Sequence, residues 1–180
     1  MKIAGAMLWK LNALTIAFLV SACSSGVETR IDSAGESALS AQSFSGAAAE
    51  DAPADLKRAY DLVRNGLVSR GFSPAKEGGL FLQITLDARD ASLALGTSAR
   101  DANLSAAKRR KPLQNCVDTE FRLGLTMTRI SDGTEVYRSR VAEYHCKMPL
   151  ADAMPFMVET AMADLGQPRG RYLVRRDAVE

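Results

Sequence analysis

The stretch Thr119–Ile130 and the turn after it constrain the fold more than any other part of the chain. Phe121, Leu123, Leu125 and Met127 share one face of an extended segment, while Glu120, Arg122, Thr126 and Thr128 share the other. That period of two is the mark of a strand buried on one side. Ser131-Asp132-Gly133 then reads as a hairpin turn. A three-residue loop with Gly133 left-handed pairs Ile130 with Thr134. It sets Met127 opposite Tyr137, Leu125 opposite Ser139 and Leu123 opposite Val141. A slip of one residue puts Leu125 opposite Arg140, so the first register is the expected one.

Gly79–Ala88 supplies a second clear strand, with Leu80, Leu82, Ile84 and Leu86 on one face. Ala91–Thr97 continues or returns it weakly, and residues 98–115 read as a long polar loop. Two helical stripes accompany the strands. In Pro53–Arg70, Leu56, Ala59, Tyr60, Val63 and Leu67 recur at steps of three and four. Gly71-Phe72 supplies a glycine stop followed by a hydrophobic residue. After Pro149, residues Leu150, Met154, Met157, Val158, Ala161 and Leu165 trace the second stripe. Pro155 suits it only in the first turn, and Gly166 and Pro168 end it. Residues 169–180 suit a short strand or a basic tail. Two apolar helix faces and one apolar sheet face bury one another in an α+β two-layer sandwich. The expectation is a mainly antiparallel sheet with two helices packed on one face.

Composition narrows the chemistry. The 180 residues hold 23 Lys+Arg and 21 Asp+Glu, a near balance that argues against a dedicated nucleic-acid binder. One His and three Cys leave zinc sites and His-based catalysis short of side chains. No metal, cofactor or catalytic constellation is expected: H-E-x-x-H, the phosphate loop and G-x-S-x-G do not occur.

The amino terminus carries an address. Lys2 and Lys10 precede the short apolar stretch Leu11–Val20, too short for a membrane span and right for a secretory signal. Val20-Ser21-Ala22-Cys23 resembles the lipobox of bacterial lipoproteins. The resemblance implies cleavage after Ala22, diacylglycerol on the Cys23 thiol and acylation of the new amino terminus. Ordinary signal cleavage at the same bond is the alternative. By resemblance to lipoprotein sorting in enteric bacteria, Ser24 rather than Asp after the Cys implies the outer membrane, facing the periplasm. Residues 1–22 are then the signal peptide. Residues 23–52, rich in Ser, Ala and Gly, read as a lipidated tether with a reach of roughly 30 Å, and 53–180 as a single domain. Ala38–Phe44 as an edge strand is the alternative for part of the tether.

The order of elements also resembles small uncharacterised envelope lipoproteins of Gram-negative bacteria. The residues that carry this are the lipobox, the helix ending at Arg70-Gly71-Phe72, the apolar strand after it, the Asp-Gly hairpin at Ile130–Val136 and the closing helix Leu150–Leu165. The resemblance offers no catalytic residues to carry over.

Lipidation of Cys23 leaves Cys116 and Cys146 as an even pair in an oxidising compartment, where a structural disulfide is expected. In the hairpin register Cys146 lies opposite Asp118, with Cys116 its diagonal neighbour. A redox pair is disfavoured by the absence of C-x-x-C spacing. His145 reads as a solvated or hydrogen-bonded strand histidine. Glu143 and Asp118 read as charges that protect a strand edge. Lys108-Arg109-Arg110-Lys111 is the sharpest charge feature. Its bland reading is a solvated loop; its functional reading is an anion contact, with lipid phosphates, lipopolysaccharide or an acidic partner. Met148, Met154, Met157 and Met162 read as adaptable core.

The expected function is that of a non-enzymatic outer-membrane lipoprotein, an interaction or assembly module in the periplasm. Its partners are the membrane, through Cys23, and an envelope protein; anionic lipid is a further candidate and nucleic acid is not. The alternative is an accessory lipoprotein that binds a lipid or amphipathic ligand for an envelope transport system. That alternative requires an apolar cavity between helices and sheet.

Overall fold

The computed structural model describes residues 26–93, 95–96, 103–105, 107–110 and 114–176. Cys23, Ala22 and Lys111 lie outside them. The chain divides into two compact units, Glu28–Val174 and a smaller one of Met1–Val27 with Arg175–Glu180. In the smaller unit, a Cβ on Gly26 would meet the Arg176 carbonyl oxygen at 2.9 Å.

The elements run β1 (Val27–Gly35), β2 (Ser43–Ser45), α1 (Ala54–Ser69), β3 (Ser73–Pro74), β4 (Leu80–Asp90), β5 (Leu95–Gly96), β6 (Asn103–Ser105), β7 (Thr119–Arg129), β8 (Glu135–His145), α2 (Leu150–Met162) and β9 (Gly170–Arg176). Seven strands form one sheet in the order β3-β2-β4-β7-β8-β1-β9, and β5 pairs with β6 apart from it. β4, β7, β8 and β1 are antiparallel neighbours, while β2 runs parallel to β3 and β4. This is an α+β fold with a mainly antiparallel sheet.

The hairpin register is the expected one: Met127 faces Tyr137, Leu125 faces Ser139 and Leu123 faces Val141. Nearer the turn, a bulge after Met127 shifts the pairing by one residue. Arg129, rather than Ile130, therefore donates to the Thr134 carbonyl at 2.8 Å. Gly133 sits at φ 74°, and Asp132 Oδ1 accepts the Thr134 N–H at 2.9 Å.

The apolar strand faces meet the helices. Leu80, Leu82, Ile84, Leu123, Leu125, Met127 and Tyr137 form one buried cluster with Ala59, Val63, Leu67, Met154, Met157 and Met162. α1 ends as its sequence implies. Gly71 has φ 87°, Phe72 donates to the Leu67 carbonyl and Gly71 to that of Val68, which satisfies two carbonyls of the last turn. Gly71→Ala is expected to lower stability by about 1 kcal/mol, because the left-handed conformation is strained for a residue with a Cβ. A shift of the urea midpoint with an unchanged slope is the measurement. Gly66, unfavourable inside a helix, marks the close approach of α2: a Cβ there would lie 2.9 Å from Met162 Sδ.

Three expectations are corrected and one open alternative is decided. Residues 28–45 lie in the span read as a tether, but β1 pairs with β8 from Thr29↔Glu143 to Gly35↔Tyr137, and β2 pairs with β4. The domain therefore does not begin at residue 53. The edge strand read at Ala38–Phe44 is the shorter Ser43–Ser45, and it lies between β3 and β4 rather than at the edge. Pro155 falls past the first turn of α2, and the helix ends at Met162 rather than Leu165. Pro155 is solvent-exposed, so the ring meets water and not the sheet. Finally, Gly170–Arg176 is a strand beside β1.

Candidate functional site

Helices cover one face of the sheet, and the other face carries its polar residues in rows across the strands. Thr85 lies opposite Gly124, Gly124 opposite Arg140, and Arg140 opposite Asp32. The next row is Asp87, Arg122, Ala142 and Arg30. On the other side lie Gln83, Thr126 and Arg138. These rows, with Arg171 and Leu173 of β9, line an open concavity of about 830 Å³. Its floor is low at Gly124, where a Cβ would lie 2.4 Å from Thr85 Oγ1. A side chain at this position would therefore have to displace Thr85.

Electrostatics divide this face in two. At one end, Glu120 is 1% exposed and accepts from Arg30, from Arg89 Nε at 2.5 Å and from Arg122 Nη2 at 2.9 Å. Arg89, itself buried, also donates to the Leu93 carbonyl. Burial opposes ionisation of Glu120, yet the hydrogen bond from Arg30 and the charges of Arg122 and Arg30 outweigh it and hold its pKa below the usual carboxylate range. Beside this group the Tyr144 ring carries Arg30 and Lys108, each 4.4 Å from its centroid. Towards the middle, Arg171 Nε meets Asp32 at 3.2 Å and Arg138 meets Glu135 at 3.3 Å. Arg140 is exposed, and its side chain has no hydrogen bond or ion pair among the described residues. Among the described residues the face thus offers the Arg140 guanidinium over a shallow polar floor, a group suited to a carboxylate or phosphate.

Two buried polar groups fasten β1 to the helix side. Glu143 accepts from Thr29 Oγ1 and pairs with His145 Nε2, both at 2.6 Å, and the His145 ring stacks on Phe121 at 5.3 Å. In a nucleophilic relay the histidine stands between hydroxyl and carboxylate. Here the carboxylate stands in the middle, so the group holds strands together rather than activating Thr29. Asp164, 1% exposed, accepts from Ser33 Oγ at 2.5 Å, from Arg169 Nε at 2.6 Å and from the Tyr172 hydroxyl at 3.0 Å. Burial first, then that bond to Asp164, raises the Tyr172 pKa.

The residues singled out in the sequence are only partly brought together. Cys116 and Cys146 are bonded, with Cα atoms 5.7 Å apart. Arg109 and Arg110 are exposed, and Arg110 Nε donates to the Gln114 carbonyl at 2.7 Å. Lys108 does not project freely: it is half-buried and pairs with Asp118 at 2.7 Å. Glu143 is not an edge charge, because β8 lies between β7 and β1. His145 is of the hydrogen-bonded kind, not the solvated one. Glu120 and Arg122 were legible as members of a polar strand face. Their convergence with Arg30 and Arg89 was not, since those residues stand on strands distant in sequence. Among the described residues no group of His, Cys, Asp and Glu could hold a metal ion, and no helix is long and apolar enough to cross a membrane.

No family model matches the chain, and no curated protein matches it. Among solved structures it is similar to a PDZ domain protein from Parabacteroides distasonis, with TM-score 0.56 and 11% identity over 90% of this chain and 42% of that one. It is also similar to a PelC dodecamer from Paraburkholderia phytofirmans, with TM-score 0.50 and 11% identity over 78% of this chain and 99% of that one. At these identities the likeness is one of fold.

Proposed function

We propose that this chain is a non-enzymatic lipoprotein of the bacterial outer membrane, facing the periplasm, that works as an interaction or assembly module through the uncovered face of its sheet. The observation that carries the reading is that face: an open hollow with the Arg140 guanidinium beside Gly124, while the buried carboxylates Glu143 and Asp164 are already paired. The lipobox at Val20–Cys23 and the Cys116–Cys146 bond both suit an exported chain. The interface between helices and sheet is filled by Val63, Leu67, Met154 and Met157, which leaves the ligand-carrier reading without an observation in its favour.

The test is photo-crosslinking in intact cells, with the crosslinking side chain at Thr126 or Gln83 and, as control, at the exposed Asp61 of α1. A discrete adduct from the two face positions and none from Asp61 is the expected result. Adducts equally strong from Asp61, or none from the face, would overturn it. The PelC neighbour is a dodecamer of that protein. An adduct at twice the chain mass would accordingly make the partner a second copy.

A further inference from the structure

One end of the sheet gathers features that no single element displays. β1 enters there, since Thr29 pairs with Glu143 near the close of β8. β4 leaves there and β7 starts there, since Asp90 pairs with Thr119 and Thr119 with His145. Two large apolar side chains stand exposed at this end: Leu93, just after β4, at 57%, and Val117, just before β7, at 56%. The cations Arg109, Arg110 and Lys147 are exposed beside them. At this end the carboxylates of Asp118 and Glu120 are paired with Lys108 and with three arginines, while Asp90 accepts from Ser92 and keeps its charge.

Bonds between its described segments tie this end together. Lys108 N–H donates to the Ala91 carbonyl at 2.7 Å and Ala91 N–H to that of Asp118 at 2.9 Å. Arg89 holds the Leu93 carbonyl, and the Cys116–Cys146 bond closes the hairpin next to Val117. Exposed apolar side chains on such a frame are held out rather than left loose.

Chain length supplies the partner. Five residues separate Cys23 from Thr29. Fully extended, that stretch spans at most about 20 Å, so an acyl group on Cys23 keeps this end of the sheet close to the bilayer.

We infer that this end is a membrane-docking surface: Leu93 and Val117 enter the headgroup region and Arg109, Arg110 and Lys147 meet anionic phospholipid headgroups, so the sheet stands end-on with its open face turned along the membrane. The inference rests on the lipoprotein reading above. Apolar tips flanked by cations match an interface that is apolar within and anionic at its rim.

Tryptophan depth measurement tests it. The full chain, in a Trp9→Phe background, carries Leu93→Trp, Val117→Trp or, at the opposite end beside the turn, Ile130→Trp; Ile130 is 53% exposed. Each is reconstituted in vesicles of brominated phosphatidylcholine with phosphatidylglycerol. The indole at 93 and 117 is expected to shift to the blue and lose most of its emission, while that at 130 keeps it. Mass spectrometry of the same samples, against Cys23→Ala, reports the acyl group. An acylated chain in which all three indoles emit alike overturns the docking surface and leaves the lipoprotein reading intact. A chain without the acyl group overturns the lipoprotein reading. The docking surface is then judged on that chain added to the same vesicles at low salt, where quenching at 93 and 117 supports it and its absence overturns it. In Cys23→Ala, replacing Arg109, Arg110 and Lys147 by Gln should weaken vesicle binding by about 100-fold, from roughly a factor of five for each cation near an anionic surface.

Discussion

Glu120→Gln is expected to destabilise the fold by about 3 kcal/mol at neutral pH, because it leaves Arg89 buried without its counter-charge. Arg30 and Arg122 are partly exposed and can return to water, but the Arg89 side chain is only 7% exposed. The effect has a defined pH window. The folded-state pKa of Glu120 lies below its ordinary value of 4.5. Its contribution is therefore complete above about 4.5 and is lost as pH falls through the lower, folded value. Urea midpoints of the wild type and the variant should differ most at pH 7 and converge in acid. A difference under about 1 kcal/mol at pH 7 would make the arginine cluster a surface network.

Loss of the disulfide should have a similar size. Cys116 and Cys146 are 30 residues apart in sequence, and opening that loop costs roughly 3–4 kcal/mol through the unfolded chain. Replacing both by Ser should lower the urea midpoint by the amount that a reductant lowers it in the wild type. Reductant should then have no further effect on the double variant. A wild-type midpoint indifferent to reductant would show that the bond adds nothing. Fractionation with the membrane should be unchanged, since the proposed anchor is Cys23, in another part of the chain.

Much of the sheet was legible in the sequence because its central strands repeat large apolar residues every second position. Leu80, Leu82 and Ile84 in β4, and Leu123, Leu125 and Met127 in β7, settle both face and register. The stop of α1 was legible for a local reason: Gly71 and Phe72 bond back to carbonyls within five residues. β1 carried no such signal. Its inward positions are Thr29, Ile31 and Ser33, with one large apolar side chain among them. Composition made it resemble a tether.

The sequence by itself determined the order of strand, hairpin and helix, the hairpin register as far as the bulge at Met127, the cysteine pair and the apolar stripes that close the two layers. Those features are local or periodic, so neighbouring residues carry them. Only the tertiary structure decided that β1 is part of the sheet. Thr29 and Ser33 become inward-facing because Glu143 and Asp164, more than a hundred residues away, need their hydroxyls once buried. It likewise drew Arg30, Arg89 and Arg122 around Glu120, and Lys108 onto Asp118 and Tyr144. A charge buried among distant strands is stable only when its partners arrive together. That condition belongs to the folded chain, and no window of the sequence contains it.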